Sequence, residues 1–202
     1  MLNDSPTLWA EEFAREHDLK LRFEPMLPGG VSGYKYDGPD GVVVVLDAAL
    51  PPERQHFALA HEAAHILLGH TGEVEADEEF QANQLASELL LPHESFAPHA
   101  WRPIRELKEL FPHVSFEALA RRKLMYCEGV LTILDDGRVT RRLNSEGFAA
   151  PPQPIAEEWA LIERCYVEKQ DCTSQLENLS LAATYVDSNP QILRVLLLVE
   201  AE

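Results

Sequence analysis

His61, Glu62 and His65 stand together in 58-ALAHEAAHILLGH-70, and their types and spacing suit metal-assisted hydrolysis. On an α-helix, residues four apart differ by about 40° in azimuth and one turn in height, so the two imidazoles reach one point. A divalent cation fits there, at roughly 2.0–2.1 Å from each nitrogen. Glu62 projects about 100° round from His61. It is placed to take a proton from water rather than to bind the ion, the HExxH arrangement of zinc hydrolases. His70 falls about 180° from His61 on an unbroken helix, too far round to be a third ligand. Gly69 offers a break before it, so the expected role of His70 is at the helix end, in support of the ligands.

The neighbours favour a metal. Ala58, Leu59, Ala60, Ala63, Ala64, Ile66, Leu67 and Leu68 make the segment apolar on nearly every side. Two imidazoles and a carboxylate buried there need partners, and one cation satisfies all three. A catalytic site also needs a third protein ligand and an open position. The next helical segment, 75-EADEEFQANQLASELLLP-92, offers Glu75, Asp77, Glu78, Glu79 and Glu88. Its apolar stripe is Ala82, Leu85, Ala86 and Leu89. Glu75 and Glu78 lie within about 30° of the stripe's centre and Glu79 about 70° off it, so helical geometry alone does not choose Glu79. Glu79 and Asn83 do share a face, which would set a ligating carboxylate beside an amide able to orient a ligating histidine.

Several elements must hold these residues. The spacing in 7-TLWAEEFAREH-17 predicts an amphipathic helix with Thr7 as its cap. Strands are expected at 19-LKLRF-23, 31-VSGYKY-36 and 42-VVVVLD-47. Gly29, Gly30 and Gly33 fall between strands and read as a turn, not a phosphate loop. Prolines and Glu53 open the histidine helix, and Gly69 and Gly72 close it. Pro92 ends the acidic helix. Short helices follow near 103–110 and 115–125, the second capped by Ser115, then a hairpin about Asp136-Gly137 within 129–143. The segment 150-APPQP-154 reads as a boundary, followed by a helix at 155–170 and strands at 179–186 and 191–202.

The paired motifs 58-ALAHEAAHILLGH-70 and 79-EFQANQLASELLLP-92 resemble the ImmA/IrrE family of metallopeptidases, tightly over about 35 residues. Ala64 stands where that pattern has glycine and Leu85 where it has phenylalanine, both packing changes that spare the ligands. Position by position, the resemblance implies His61, His65 and Glu79 as metal ligands and Glu62 as general base; the supporting roles of Asn83 and His70 rest on the helical geometry above. It implies zinc, or manganese in its place. It also implies an α+β fold: a zincin-like domain over 1–100, with a small sheet and the HExxH helix. A helical, helix-turn-helix-like segment with a hairpin would follow over 101–150, then a short α/β part over 151–202. The helix-turn-helix likeness lies in 104-IRELKELFPHVSFEALARR-122 and is to the radiation-response branch. Family members cleave or inactivate a helix-turn-helix repressor, releasing stress, prophage or mobile-element genes. The resemblance therefore implies such a repressor as the partner. A binding module that only sequesters the repressor and a DNA-binding regulator are the alternatives.

Composition narrows these readings. The 202 residues carry a net charge of −17, which opposes direct binding to DNA or anionic lipid and favours a basic partner. The charge is uneven. Residues 1–100 hold 5 basic and 18 acidic side chains, residues 101–150 hold 9 and 7, and residues 151–202 hold 3 and 9. No run of apolar residues is long enough for a membrane span, and the N-terminus has no signal-peptide pattern, so a cytoplasmic protein is expected. Cys127, Cys165 and Cys172 form no CxxC motif and read as free thiols.

Overall fold

A computed structural model describes residues 6–25, 27–70, 75–187 and 192–201. The chain forms a mixed α+β structure in two compact units. One comprises Met1–Phe96 with Phe111–Ser115, and the other Ala97–Leu110 with Phe116–Glu202.

The first unit opens with α1 (Pro6–Glu16), which turns Ala10, Phe13 and Ala14 inward. The side chain of Thr7, the expected cap, falls outside what the structure describes. Three strands follow, β1 (Lys20–Glu24), β2 (Gly33–Gly38) and β3 (Gly41–Asp47). They form a sheet in the order β1-β3-β2, with β3 parallel to β1 and antiparallel to β2. The central strand is the one with the longest apolar run, and Val44, Val45 and Leu46 are fully buried. The glycine-rich stretch between β1 and β2 is a short 3-10 turn over Pro28–Gly30, as expected for a connection. Asp47 ends β3, and its carboxylate accepts bonds from the amides of Leu27 at 3.2 Å and Ala49 at 2.8 Å.

Helix α2 (Pro52–Leu67) packs on this sheet and against α3 (Ala76–Leu90), and α4 (His93–Phe96) follows. Gly33 marks how closely α2 approaches. A Cβ there would lie 2.9 Å from the Val45 carbonyl oxygen and 3.6 Å from Ala58 Cβ. Trp9 stacks on His113 with ring centroids 4.8 Å apart, and His56 Nδ1 lies 2.8 Å from the His113 carbonyl oxygen. These contacts return residues 111–115 to the first unit. The expectation that α2 is apolar all round holds only along its buried faces, because Leu67 and Leu68 in its last turn are exposed.

The second unit contains α5 (Ile104–Leu110), α6 (Phe116–Leu124), β4 (Gly129–Asp135), β5 (Arg138–Asn144) and α7 (Ala156–Glu168). It ends with β6 (Cys172–Leu176), β7 (Leu179–Val186) and β8 (Arg194–Ala201). The β4–β5 turn has positive φ at both Asp136 and Gly137, the mirror-image geometry that a two-residue hairpin requires. All five strands are antiparallel, in the order β5-β4-β8-β7-β6. Segments on either side of 150-APPQP-154 therefore share one sheet. Its core joins Val130, Leu134, Leu197 and Val199 of the central strands to Leu161, Ile162 and Cys165 of α7. The cysteines are free thiols, and burial pushes those of Cys127 and Cys165 up to about 12. Among the described residues no helix is long and apolar enough to cross a membrane.

Candidate metal centre

Helix α2 brings His61 and His65 together as their spacing predicts. Their Nε2 atoms are 3.1 Å apart, and the rings meet edge to face. The carboxylate of Glu79, one turn into α3, completes the group. Oε2 lies 3.5 Å from His61 Nε2 and Oε1 lies 3.5 Å from His65 Nε2. Ligands at 2.0–2.1 Å from a tetrahedral ion stand about 3.3–3.4 Å from one another. The three observed separations bracket that value, so the donor set fits a divalent cation in both chemistry and spacing.

The capping of α3 separates Glu79 from its acidic neighbours. Glu75 is the N-cap, and its amide donates to the Glu78 carboxylate at 2.9 Å. This bond occupies the Glu78 carboxylate at the helix end. Glu88 is occupied too, accepting the His93 amide at 2.7 Å. Glu79, with its side chain 48% exposed, faces the histidines.

His70 reaches the site through the end of α2. Gly69 adopts φ +73°, the Gly69 amide donates to the Ile66 carbonyl at 3.1 Å, and the His70 amide donates to that of His65 at 2.9 Å. This pair of bonds is a Schellman motif, and it folds the chain back over the last turn. The other expected stop, Gly72, lies outside the described residues. His70 is buried, and its Nδ1 is 3.0 Å from His65 Nδ1. With the proton of His65 on Nδ1 and donated to His70, the Nε2 lone pair points at the shared position. Burial first, and then the neighbouring His61, hold the His65 imidazole below its usual pKa, which keeps it neutral and able to ligate. His61 differs, since its buried Nδ1 has no hydrogen-bond partner among the described residues. Phe57 stacks on its ring at 6.1 Å.

Glu62 is half-buried beside the pair. Burial raises its carboxyl pKa and the nearby Glu79 raises it further, while Lys35 pulls it down. Lys35 escaped the sequence reading. Strand alternation puts it on the face of β2 that Gly33 turns to α2, opposite Tyr34, and its Nζ donates to the His70 carbonyl at 2.9 Å. The signal was present in 33-GYK-35, a glycine and a lysine on one face of a strand. Asn83 is exposed, and among the described residues no hydrogen bond joins it to either histidine.

The pattern of the IrrE N-terminal-like domain, peptidase family M78, matches residues 14–123, more than half of the chain. The chain belongs to the ImmA/IrrE family. The family is one of peptidases in which metal dependence is general, in keeping with the donor set of His61, His65 and Glu79. Among solved structures, a Mycobacterium tuberculosis transcriptional regulator has a similar fold, with a TM-score of 0.64 at 16% identity over 97% of this chain and 80% of the other. No curated protein matches the chain.

Proposed function

We propose that this ImmA/IrrE protein is a zinc-dependent, site-specific endopeptidase. It cleaves a helix-turn-helix repressor in the cytoplasm and so releases stress or mobile-element genes. The observation that carries the reading is the convergence of His61, His65 and Glu79 ligand atoms within 4.8 Å of one another, with Glu62 beside them. We read residues 1–100 as the zincin-like catalytic domain, residues 101–150 as a helix-turn-helix-like segment with its hairpin, and residues 151–202 as an α/β part.

His61, His65 and Glu79 are the residues that would hold zinc, or manganese in its place. The bound cation supplies Lewis acidity, which makes water acidic at neutral pH and polarises a peptide carbonyl. Glu62 takes the proton of the attacking water and passes it to the leaving amine nitrogen. A carboxyl raised by burial is suited to both halves of that transfer, because it holds a proton more readily than an exposed one. His70 fixes the tautomer of His65. Asn83, one turn along α3 from Glu79, is read as a support for the ligands from outside the donor set. An extended substrate can add to β2, an edge strand among the described residues, through backbone hydrogen bonds.

Incubation of the chain with a helix-turn-helix repressor, in zinc, in manganese and in chelator, tests the proposal by intact mass. Two fragments are expected only with metal, and Glu62→Gln is expected to keep zinc and lose cleavage. Repressor that is bound yet left intact by the wild-type protein would favour a metal-shaped binding module instead.

A further inference from the structure

We infer that Lys35 is a positioning residue for the metal ligand His65, acting through the turn that carries His70. The inference rests on the metallopeptidase reading and extends it from the ligands to the sheet behind them.

Three contacts in series make the link. Lys35 Nζ donates to the His70 carbonyl at 2.9 Å. The His70 amide donates to the His65 carbonyl at 2.9 Å, so both polar groups of the His70 backbone are engaged. The His70 ring then meets His65, Nδ1 to Nδ1, at 3.0 Å. Each contact joins a different level of structure: strand to turn, turn to helix, and ring to ring. The φ of +73° at Gly69 lets the chain reverse, and the ammonium fixes where the reversed segment stops.

A charged donor suits this place. A carbonyl beyond a helix end has lost its intrahelical partner, and an ammonium gives it a charge-assisted bond about twice as strong as a neutral one. The β2 backbone that carries Lys35 is itself held in register with β3, Lys35 opposite Val44. The position of His65 is thereby tied to the sheet as well as to its own helix. His61 has no such tie among the described residues, and its Nδ1 is without a partner.

The test compares zinc affinity by competition with a chromophoric chelator and the ligand-field spectrum of the cobalt-substituted full chain. Lys35→Met is expected to weaken zinc binding about 10–100-fold, the range for loss of an outer hydrogen-bonding partner, and to shift the cobalt bands. Lys35→Arg, which keeps the cation and its donors, is expected to restore most of the affinity. The pair Lys35→Met with His70→Ala should bind no more weakly than His70→Ala alone, because both act on one path. If Lys35→Met fails to fold, Lys35→Leu, which also lacks a donor, carries the same comparison. Equal affinity in Lys35→Met and wild type, or additive losses in the double variant, would overturn the role of Lys35. A wild-type chain that takes up no zinc would instead end the metallopeptidase reading on which the inference stands.

Discussion

At the scale of single residues, chemically alike side chains are separated by what already occupies them. Glu78 and Glu79 are adjacent acids on one helix, yet one accepts the first free amide of α3 and the other faces the histidines. Glu78→Ala should cost about 0.5–2 kcal/mol of stability and leave zinc affinity unchanged. Glu79→Ala should lower zinc affinity by more than the about 10–100-fold of an outer partner. Urea unfolding and chelator competition distinguish the two outcomes. The convergence of His61 and His65 was legible from spacing alone, because a single helix sets its geometry. Glu79 needed the family resemblance, because azimuth favoured Glu75 and Glu78, and only the fold shows the Glu78 carboxylate engaged at the start of α3. Lys35 was only half legible, since 33-GYK-35 puts the lysine on the glycine's face of the strand but does not say that this face meets α2.

At the scale of elements, local signals were reliable wherever one element defines itself. The hairpin at Asp136-Gly137, the stop at Gly69 and the end of α3 before Pro92 all fall where backbone chemistry puts them. What the local pattern could not carry was strand partnership. Residues 129–135 pair with residues 194–201, and nothing in either segment marks the other. That ladder is pinned at one end by Arg194, whose guanidinium bonds Asp135 at 2.6 and 2.9 Å and Glu117 at 3.0 Å. The hydrogen bond from Arg194 holds the Asp135 carboxyl below the usual range. Its contribution is therefore fully present above the unfolded pKa of about 3.9 and is lost as pH falls toward the lower folded value. Arg194→Met should show a shallower loss of stability with acid below about pH 4. Denaturant unfolding at a series of acid pH values measures that slope.

At the scale of the whole molecule, the uneven charge seen along the chain has a structural use. The cations of the middle third are largely spent on acids inside the second unit: Arg102 on Glu106, Arg105 on Asp171, Arg121 on Glu117, Lys123 on Glu200 and Arg142 on Glu158. Five of the nine cations in that stretch are paired in this way, so its free positive charge is smaller than the sequence count. The Arg142–Glu158 pair is the most enclosed, with each side chain only 6% exposed, and Glu158 also accepts the Ile155 amide at the start of α7. Arg142→Met strands a buried carboxylate and should cost about 3–5 kcal/mol, read as a lower midpoint in urea. The surplus of acid along the rest of the chain suits a basic partner, and the association rate with a repressor should fall as salt rises.

The second sheet has its last strand in its middle. A chain cut between Val186 and Arg194 would leave β4–β5 and β6–β7 as two separate hairpins, each with a bare inner edge where β8 had bridged them. Such hairpins are open templates for pairing with other chains. Truncated copies are thus expected to accumulate as aggregates rather than as a shortened, working enzyme.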